Sequence, residues 1–118
     1  MNSTSLRFAT LALVGASLAS CAPIGRTVSP KWNETRCFLD LPELCVKLTN
    51  VETEGHCNFD VVQRQGGTDT VLASHAMIFR RGRVPVSFRS VNYQLEVLST
   101  VERVFESDEA TFVLHDAR

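Results

Sequence analysis

Little net charge and few aromatic residues characterise this sequence. Its 118 residues contain 12 Lys and Arg against 13 Asp and Glu, which gives a net charge of −1, and there is one Trp and one Tyr. A nucleic-acid-binding domain usually carries a strong basic excess, so we expect no nucleic-acid partner. Hydrophobic residues make up 44 % of the chain, which is too many for an intrinsically disordered protein. The length allows a single domain with short extensions.

Motifs for catalysis, nucleotide binding and metal binding are also missing. The sequence has no Gly-rich phosphate loop, no nucleophile-elbow serine and no spacing of Cys and His that is typical of zinc sites. Cys45, His56 and Cys57 come nearest to a metal-binding set, but neighbouring residues of a strand point to opposite faces. No motif pairs a thiol with His75 or His115 as its base. We therefore expect no enzyme activity, no cofactor and no metal ligand.

The first 20 residues have the pattern of a secretory signal peptide. Arg7 provides a positive charge, and an apolar stretch with small residues follows over positions 8–19. Twelve helical residues extend about 18 Å, whereas the hydrocarbon core of a bilayer is about 30 Å thick. This segment is therefore too short to span a membrane, and we expect residues 1–20 to be removed on export.

The end of this segment, Leu18-Ala19-Ser20-Cys21, resembles the lipobox of bacterial lipoproteins, in which Gly or Ala is more frequent at the position of Ser20. The resemblance covers the signal segment alone. It implies that the Cys21 thiol receives a diacylglyceryl group, that a signal peptidase cleaves before Cys21, and that the new amino terminus is acylated, for example with palmitate. Several chains matter because each buried CH₂ contributes about 0.8 kcal/mol and a single chain binds weakly.

The residue after the cysteine bears on the membrane to which the protein is sorted. Lipoproteins retained in the inner membrane have Asp after the lipidated cysteine, whereas this chain has Ala22. In this respect the chain resembles lipoproteins of the outer membrane. We therefore expect a lipid-anchored protein on the periplasmic side of the outer membrane. The alternative is an ordinary cleavage site in front of a disulfide cysteine, and in that case the protein is secreted.

Residues 21–35 are predicted to form the lipid anchor and a flexible tether. This segment contains two prolines and a glycine among scattered polar residues and has no periodicity, which is typical of a linker. Its one aromatic residue, Trp32, is expected to dock the tether onto the domain, and the alternative is a position at the lipid headgroup boundary. Residues 36–118 are then a single strand-rich globular domain.

Period-two alternation of apolar residues predicts several strands in this domain. The expected strands include 44–52, 57–65 and 71–79, with turns at Thr53-Glu54-Gly55, Gly66-Gly67-Thr68-Asp69 and Arg80-Arg81-Gly82-Arg83. Short strands separated by turns are typical of antiparallel β folds. We predict an all-β fold, a small antiparallel β-sandwich or barrel.

The segment 91–106 allows two interpretations. Twelve of its 16 positions follow period two, with the apolar residues at odd positions. A helix at 91–105 would also place an apolar stripe on one face, with Ser90 as its N-cap, and would make the fold α+β. The four valines favour a strand because β-branching restricts χ1 in a helix. A final hairpin is expected from 100–105 and 110–115.

Lipidation of Cys21 would leave three cysteines in the domain, which is an odd number. A hairpin that turns at 53–55 puts Cys45 out of register with Cys57. We therefore expect a disulfide between Cys37 and Cys57 and a remaining thiol at Cys45. Such a bridge would contribute about 3 kcal/mol in the chain-entropy model. Without lipidation, the four cysteines allow two bridges in three connectivities.

Arg80, Arg81 and Arg83 form the best candidate surface for an anion or a partner protein. Three guanidinium groups within four residues can donate bidentate hydrogen bonds to carboxylates or phosphates, and Arg64 and Arg89 are candidates to join them. The alternative is an ordinary solvated turn.

These features together predict a small non-enzymatic lipoprotein that faces the periplasm. It would serve as an accessory or assembly subunit of a cell-envelope complex such as a secretion channel. Its partners would be the membrane, through the lipid anchor, and an envelope protein. The alternative is a secreted or anchored binding module, an inhibitor or ligand-sensing domain held by disulfides.

Overall fold

A computed structural model describes residues 24–51, 56–76 and 82–117. In chain order these residues form a 3₁₀-helix Ile24–Arg26, β1 Thr27–Val28, β2 Thr35–Cys37, β3 Leu44–Val51, β4 His56–Gln65, β5 Thr68–Ala76, β6 Gly82–Phe88, β7 Val91–Val97, α1 Val101–Ser107 and β8 Phe112–Asp116. Within these ranges no helix is long and apolar enough to cross a membrane.

The strands form two antiparallel sheets with the orders β1-β8-β7-β6 and β2-β3-β4-β5. Alternate residues of each sheet point into one shared core, including Leu44, Val46, Leu48, Phe59, Tyr93, Leu95, Phe112 and Leu114. The rings of Phe59 on β4 and Phe112 on β8 lie 5.0 Å apart and so join the two sheets. The predicted all-β sandwich is thereby confirmed.

Two tight turns explain how neighbouring strands are joined. Gly66 and Gly67 link β4 to β5, and both have positive φ, 59° and 82°, as a two-residue hairpin turn requires. This turn was predicted from the sequence. Arg89 and Ser90 link β6 to β7 with φ of 53° and 66°. Ser90 is thus a turn residue and not the N-cap of a helix at 91–105.

The segment 91–106 divides into a strand and a helix. The strand β7 ends at Val97, and α1 begins at Val101. Thr100 caps α1, since its hydroxyl accepts a hydrogen bond from the Arg103 amide at 3.3 Å. Val101 and Val104 are buried at helical spacing, whereas Phe105 is exposed. The predicted strand at 100–105 is therefore wrong, and so is the final hairpin that contained it. Of the alternative helix at 91–105, only residues 101–105 are helical.

The folded domain begins earlier than the predicted boundary at residue 36. Thr27 and Val28 pair with β8, and Pro30 is fully buried, so most of the predicted tether belongs to the sandwich. The Trp32 indole donates a hydrogen bond to Asp108 at 3.0 Å, and its ring centroid lies 5.2 Å from that of Phe105. The predicted docking of Trp32 onto the domain is confirmed. Residues 21–23 lie outside the described residues.

The disulfide joins Cys37 and Cys45, not Cys37 and Cys57 as predicted. Cys37 on β2 pairs directly across the strands with Cys45 on β3. Cys57 on β4 pairs with Asn50, on the other side of β3, and is buried in the core. The thiol therefore belongs to Cys57 and not to Cys45. The error arose because no strand was predicted at Thr35–Cys37, and it is this strand that brings Cys37 to Cys45.

We expect removal of this disulfide to lower the stability of the domain. The bridge closes a loop with a sequence separation of 8 residues. In the chain-entropy model, a loop of this length contributes about 2.5 kcal/mol to the free energy of unfolding. Urea unfolding of the double variant Cys37→Ala/Cys45→Ala should show a loss of this size.

Cys57→Ala is the matched control, because it removes a cysteine but keeps the bridge. A reducing agent should lower the stability of the wild type and of Cys57→Ala, and leave the double variant unchanged. Equal sensitivity of all three proteins to the reducing agent would contradict the Cys37–Cys45 pairing.

Candidate functional site

The structure does not bring Arg83 together with the other described arginines of the predicted surface. Arg80 and Arg81 lie outside the described residues. Arg83 lies on β6, where its guanidinium donates a hydrogen bond to Gln94 at 3.2 Å and pairs with Glu96 at 3.7 Å. The same Glu96 carboxylate lies 2.7 Å from Nε2 of His115. Arg83 is thus part of a polar network on its own sheet.

The other two candidate arginines each pair with a separate acid. The Arg64 guanidinium donates two hydrogen bonds to Asp69, at 2.8 and 3.0 Å, and these lower the pKa of the Asp69 carboxyl and raise the pKa of Arg64. Arg89 forms an ion pair with Glu43. Each of these described arginines is therefore paired with an acid of the chain itself, which makes it less available to an outside anion.

Two observations in the described residues bear on thiol and metal chemistry. Burial raises the pKa of the Cys57 thiol, which disfavours the thiolate that acts as a nucleophile or a metal ligand. Within 24–51, 56–76 and 82–117, no group of three or more His, Cys, Asp and Glu side chains is placed to hold a metal ion.

The outer edges of the two sheets differ in how well they are protected against pairing with another strand. β1 and β2, which are edge strands, have only two and three residues, so they offer few backbone groups. The third edge strand, β6, carries Pro85, which lacks an N–H group. Short edge strands and edge prolines are two of the devices by which proteins block unwanted strand pairing.

β5, the fourth edge strand, has neither device. It runs for nine residues, Thr-Asp-Thr-Val-Leu-Ala-Ser-His-Ala, without Pro, Lys or Arg. In the part of the chain that the structure describes, β5 pairs with β4 alone. Val71 and Leu72 keep 55 % and 40 % of their surface exposed. A long edge that exposes both its backbone groups and apolar side chains is suited to accept a further strand.

A bulge divides this edge into two halves. Val61 of β4 pairs with Ala73, and the next residue, Val62, pairs with Val71, so Leu72 is the extra residue. On the far side of the bulge, the His75 ring stacks on the buried Phe59 at 5.2 Å. The half after the bulge is therefore fixed to the core through His75, while all four residues of the half before it, 68–71, are exposed.

Sequence analysis predicted a strand near β5 but not that it is an edge. The position of a strand within a sheet depends on pairing between distant segments, which no local pattern records. The available signal was the composition of 68–76, where small and polar residues outnumber large apolar ones. Such a composition is unusual for a strand covered on both sides.

Comparison with known proteins adds no assignment: no family model, no curated protein and no solved structure matches this chain.

Proposed function

We propose that this protein is a small non-enzymatic lipoprotein, anchored through Cys21 on the periplasmic side of the outer membrane. There it serves as an accessory or assembly subunit of a cell-envelope complex. The observation that carries the proposal is the open edge of β5, which offers backbone hydrogen-bonding groups to a partner strand. A protein of this kind acts by contact and needs no catalytic group.

The order of features along the chain supports the membrane location. The apolar stretch at 8–19 ends at Leu18-Ala19-Ser20-Cys21, which resembles a lipobox. The first residue that the structure describes is Ile24, and three residue steps separate it from the proposed anchor at Cys21. A subunit anchored in this way is held close to the membrane, where envelope complexes assemble.

The shape of the β5 edge favours an extended segment of a partner over a second copy of the sheet. A bulge at Leu72 increases the local twist and interrupts a flat edge-to-edge contact. A short segment can still pair with the exposed half, 68–71. Val71 would then contribute apolar contact area beside the backbone hydrogen bonds.

Val71→Lys should weaken binding of the partner without unfolding the domain. Val71 is more than half exposed, so a lysine fits at this position, but its charge opposes strand addition at the edge. Loss of one good apolar contact, about 1.4 kcal/mol, corresponds to a tenfold fall in affinity. The measurement is recovery of the envelope partner with the protein after mild detergent extraction of source membranes.

Val91→Lys is the matched control, because Val91 is similarly exposed at 49 % but lies on β7. We expect it to recover the partner as the wild type does. Equal recovery by Val71→Lys and the wild type would overturn the assignment of β5. Extraction of the wild type as a single chain, with a tightly bound small molecule or soluble protein, would instead support the binding-module alternative.

A further inference from the structure

Several chain segments meet at one end of the sandwich, which we call the entry end: Ile24–Arg26, the loop 38–43 and the turn Arg89–Ser90. The Asp40 amide donates a hydrogen bond to the Gly25 carbonyl at 3.1 Å. The Arg26 guanidinium lies 3.6 Å from Asp40 and 3.5 Å from Asp116, at the end of β8. These contacts place the start of the fold beside the loop 38–43.

The turn Arg89–Ser90 joins the same end. Arg89 forms an ion pair with Glu43, and a shallow pocket between the two segments is lined by Leu41, Pro42 and Phe88. The Arg64 amide also donates to the Glu43 carbonyl at 2.8 Å, so the turn between β4 and β5 lies at this end as well.

The entry end exposes large apolar side chains. Ile24 is 83 % exposed and Leu39 is 74 % exposed, and no other large apolar side chain in the described residues is more exposed than these two. Both belong to the segments joined by the Asp40–Gly25 hydrogen bond. The transfer of such side chains from water into an apolar environment is favourable, so a partner or membrane that covers them would gain free energy.

The chain itself indicates what lies against this end. Three residue steps join Cys21 to Ile24, and even a fully extended chain spans at most about 11 Å over that separation. An acylated Cys21 therefore holds Ile24, and with it the entry end, within about 11 Å of the anchored residue. Other described parts of the domain are farther along the strands, since β7 alone extends about 20 Å from Val91 to Val97.

We propose that the entry end rests on the phospholipid bilayer and inserts Ile24 and Leu39 among the lipid headgroups. This inference rests on the proposed lipidation of Cys21. The strands are then directed away from the membrane surface. β5 starts near the membrane at Thr68, and its later residues lie farther from it. Because Arg26 and Arg89 are already paired with acids, the contact is apolar and should depend little on salt.

Tryptophan fluorescence provides the test, because Trp32 is the only tryptophan in the chain. Its ring contacts Phe105 of α1, and α1 follows the end of β7 that is distant from the entry end. The full chain is produced in a bacterial host, its lipidation is verified by intact mass, and it is reconstituted into vesicles of phosphatidylcholine with brominated acyl chains. The Leu39→Trp variant should lose most of its added fluorescence to bromine quenching, in low and in high salt. Wild-type Trp32 should keep its fluorescence.

Phe105→Trp is the matched control, since Phe105 is also an exposed apolar residue but lies on α1. Its added tryptophan should remain unquenched. If the lipidated Leu39→Trp variant is quenched no more than Phe105→Trp, the membrane contact is overturned while lipidation stands. An unlipidated mass overturns the proposed anchor and the membrane contact together.

Discussion

Cys21→Ser should abolish acylation of the protein. The serine hydroxyl does not accept the diacylglyceryl group that the lipobox resemblance implies for the Cys21 thiol, and later acylation of the amino terminus depends on cleavage at this position. Each acyl CH₂ lost removes about 0.8 kcal/mol of membrane binding, so the loss of all chains removes the anchor. We expect incorporation of labelled palmitate to fall to background, and the acylated mass that starts at residue 21 to disappear.

Ser20→Gly is the matched control for this change. It alters the neighbouring residue toward the more frequent lipobox residue and keeps the Cys21 thiol, so acylation should persist at the wild-type level. The lipoprotein proposal would be contradicted by a wild-type protein that carries no lipid and whose Cys21 reacts with an alkylating agent only after reduction. A secreted domain would then be the better interpretation.

The same mass measurement reports on the other cysteines. In the acylated protein, denatured but not reduced, one thiol should react with an alkylating agent. That thiol is Cys57, since Cys37 and Cys45 form the disulfide. In the native protein the reaction should be slow, because Cys57 is buried and burial raises its pKa.

The central strands were predictable because each has a strong local pattern. Leu44, Val46 and Leu48 alternate with polar or disulfide-bonded neighbours, and the strand they predict, 44–52, matches β3 closely. The Gly66–Gly67 turn was equally clear, since glycine readily adopts the positive φ that this turn requires. Hairpins of this kind are formed by residues that are close in sequence.

The edges of the sandwich were not predictable in the same way. β1 and β2 have two and three residues, too few to show any periodicity, so β1 was included in the tether and no strand was predicted at β2. The pairing partner of β1 lies on a distant segment, as the match between Thr27 and Val113 shows. The disulfide error and the unrecognised β5 edge have the same cause, because both depend on which strands lie side by side.

The helix α1 was missed because its sequence satisfies two periods. Val101 and Phe105 fall on odd positions, which fits a strand, but the buried pair is Val101 and Val104. Thr100 was the neglected signal, since a threonine before such a segment is a favourable N-cap. Burial on one face and the cap together outweigh the modest cost of valine in a helix.

Phe112→Ala should destabilise the domain more than any other substitution considered. Phe112 is fully buried on β8, pairs with both Val28 and Val97, and packs against Phe59 across the two sheets. Truncation of a buried phenylalanine costs about 3–5 kcal/mol, because apolar contacts are lost and a cavity remains. Small domains have about 5–15 kcal/mol of total stability, so a large fraction would be lost.

Phe105→Ala separates the effect of burial from that of residue type. Phe105 is 40 % exposed, and its ring contact is with Trp32 at the surface. Loss of one such aromatic pair costs about 1 kcal/mol in addition to the apolar area that the half-buried ring gives up. Urea unfolding followed by circular dichroism should therefore show a larger loss of stability for Phe112→Ala than for Phe105→Ala. Equal losses would contradict a core in which Phe112 joins the sheets, because burial between them is what makes its removal costly.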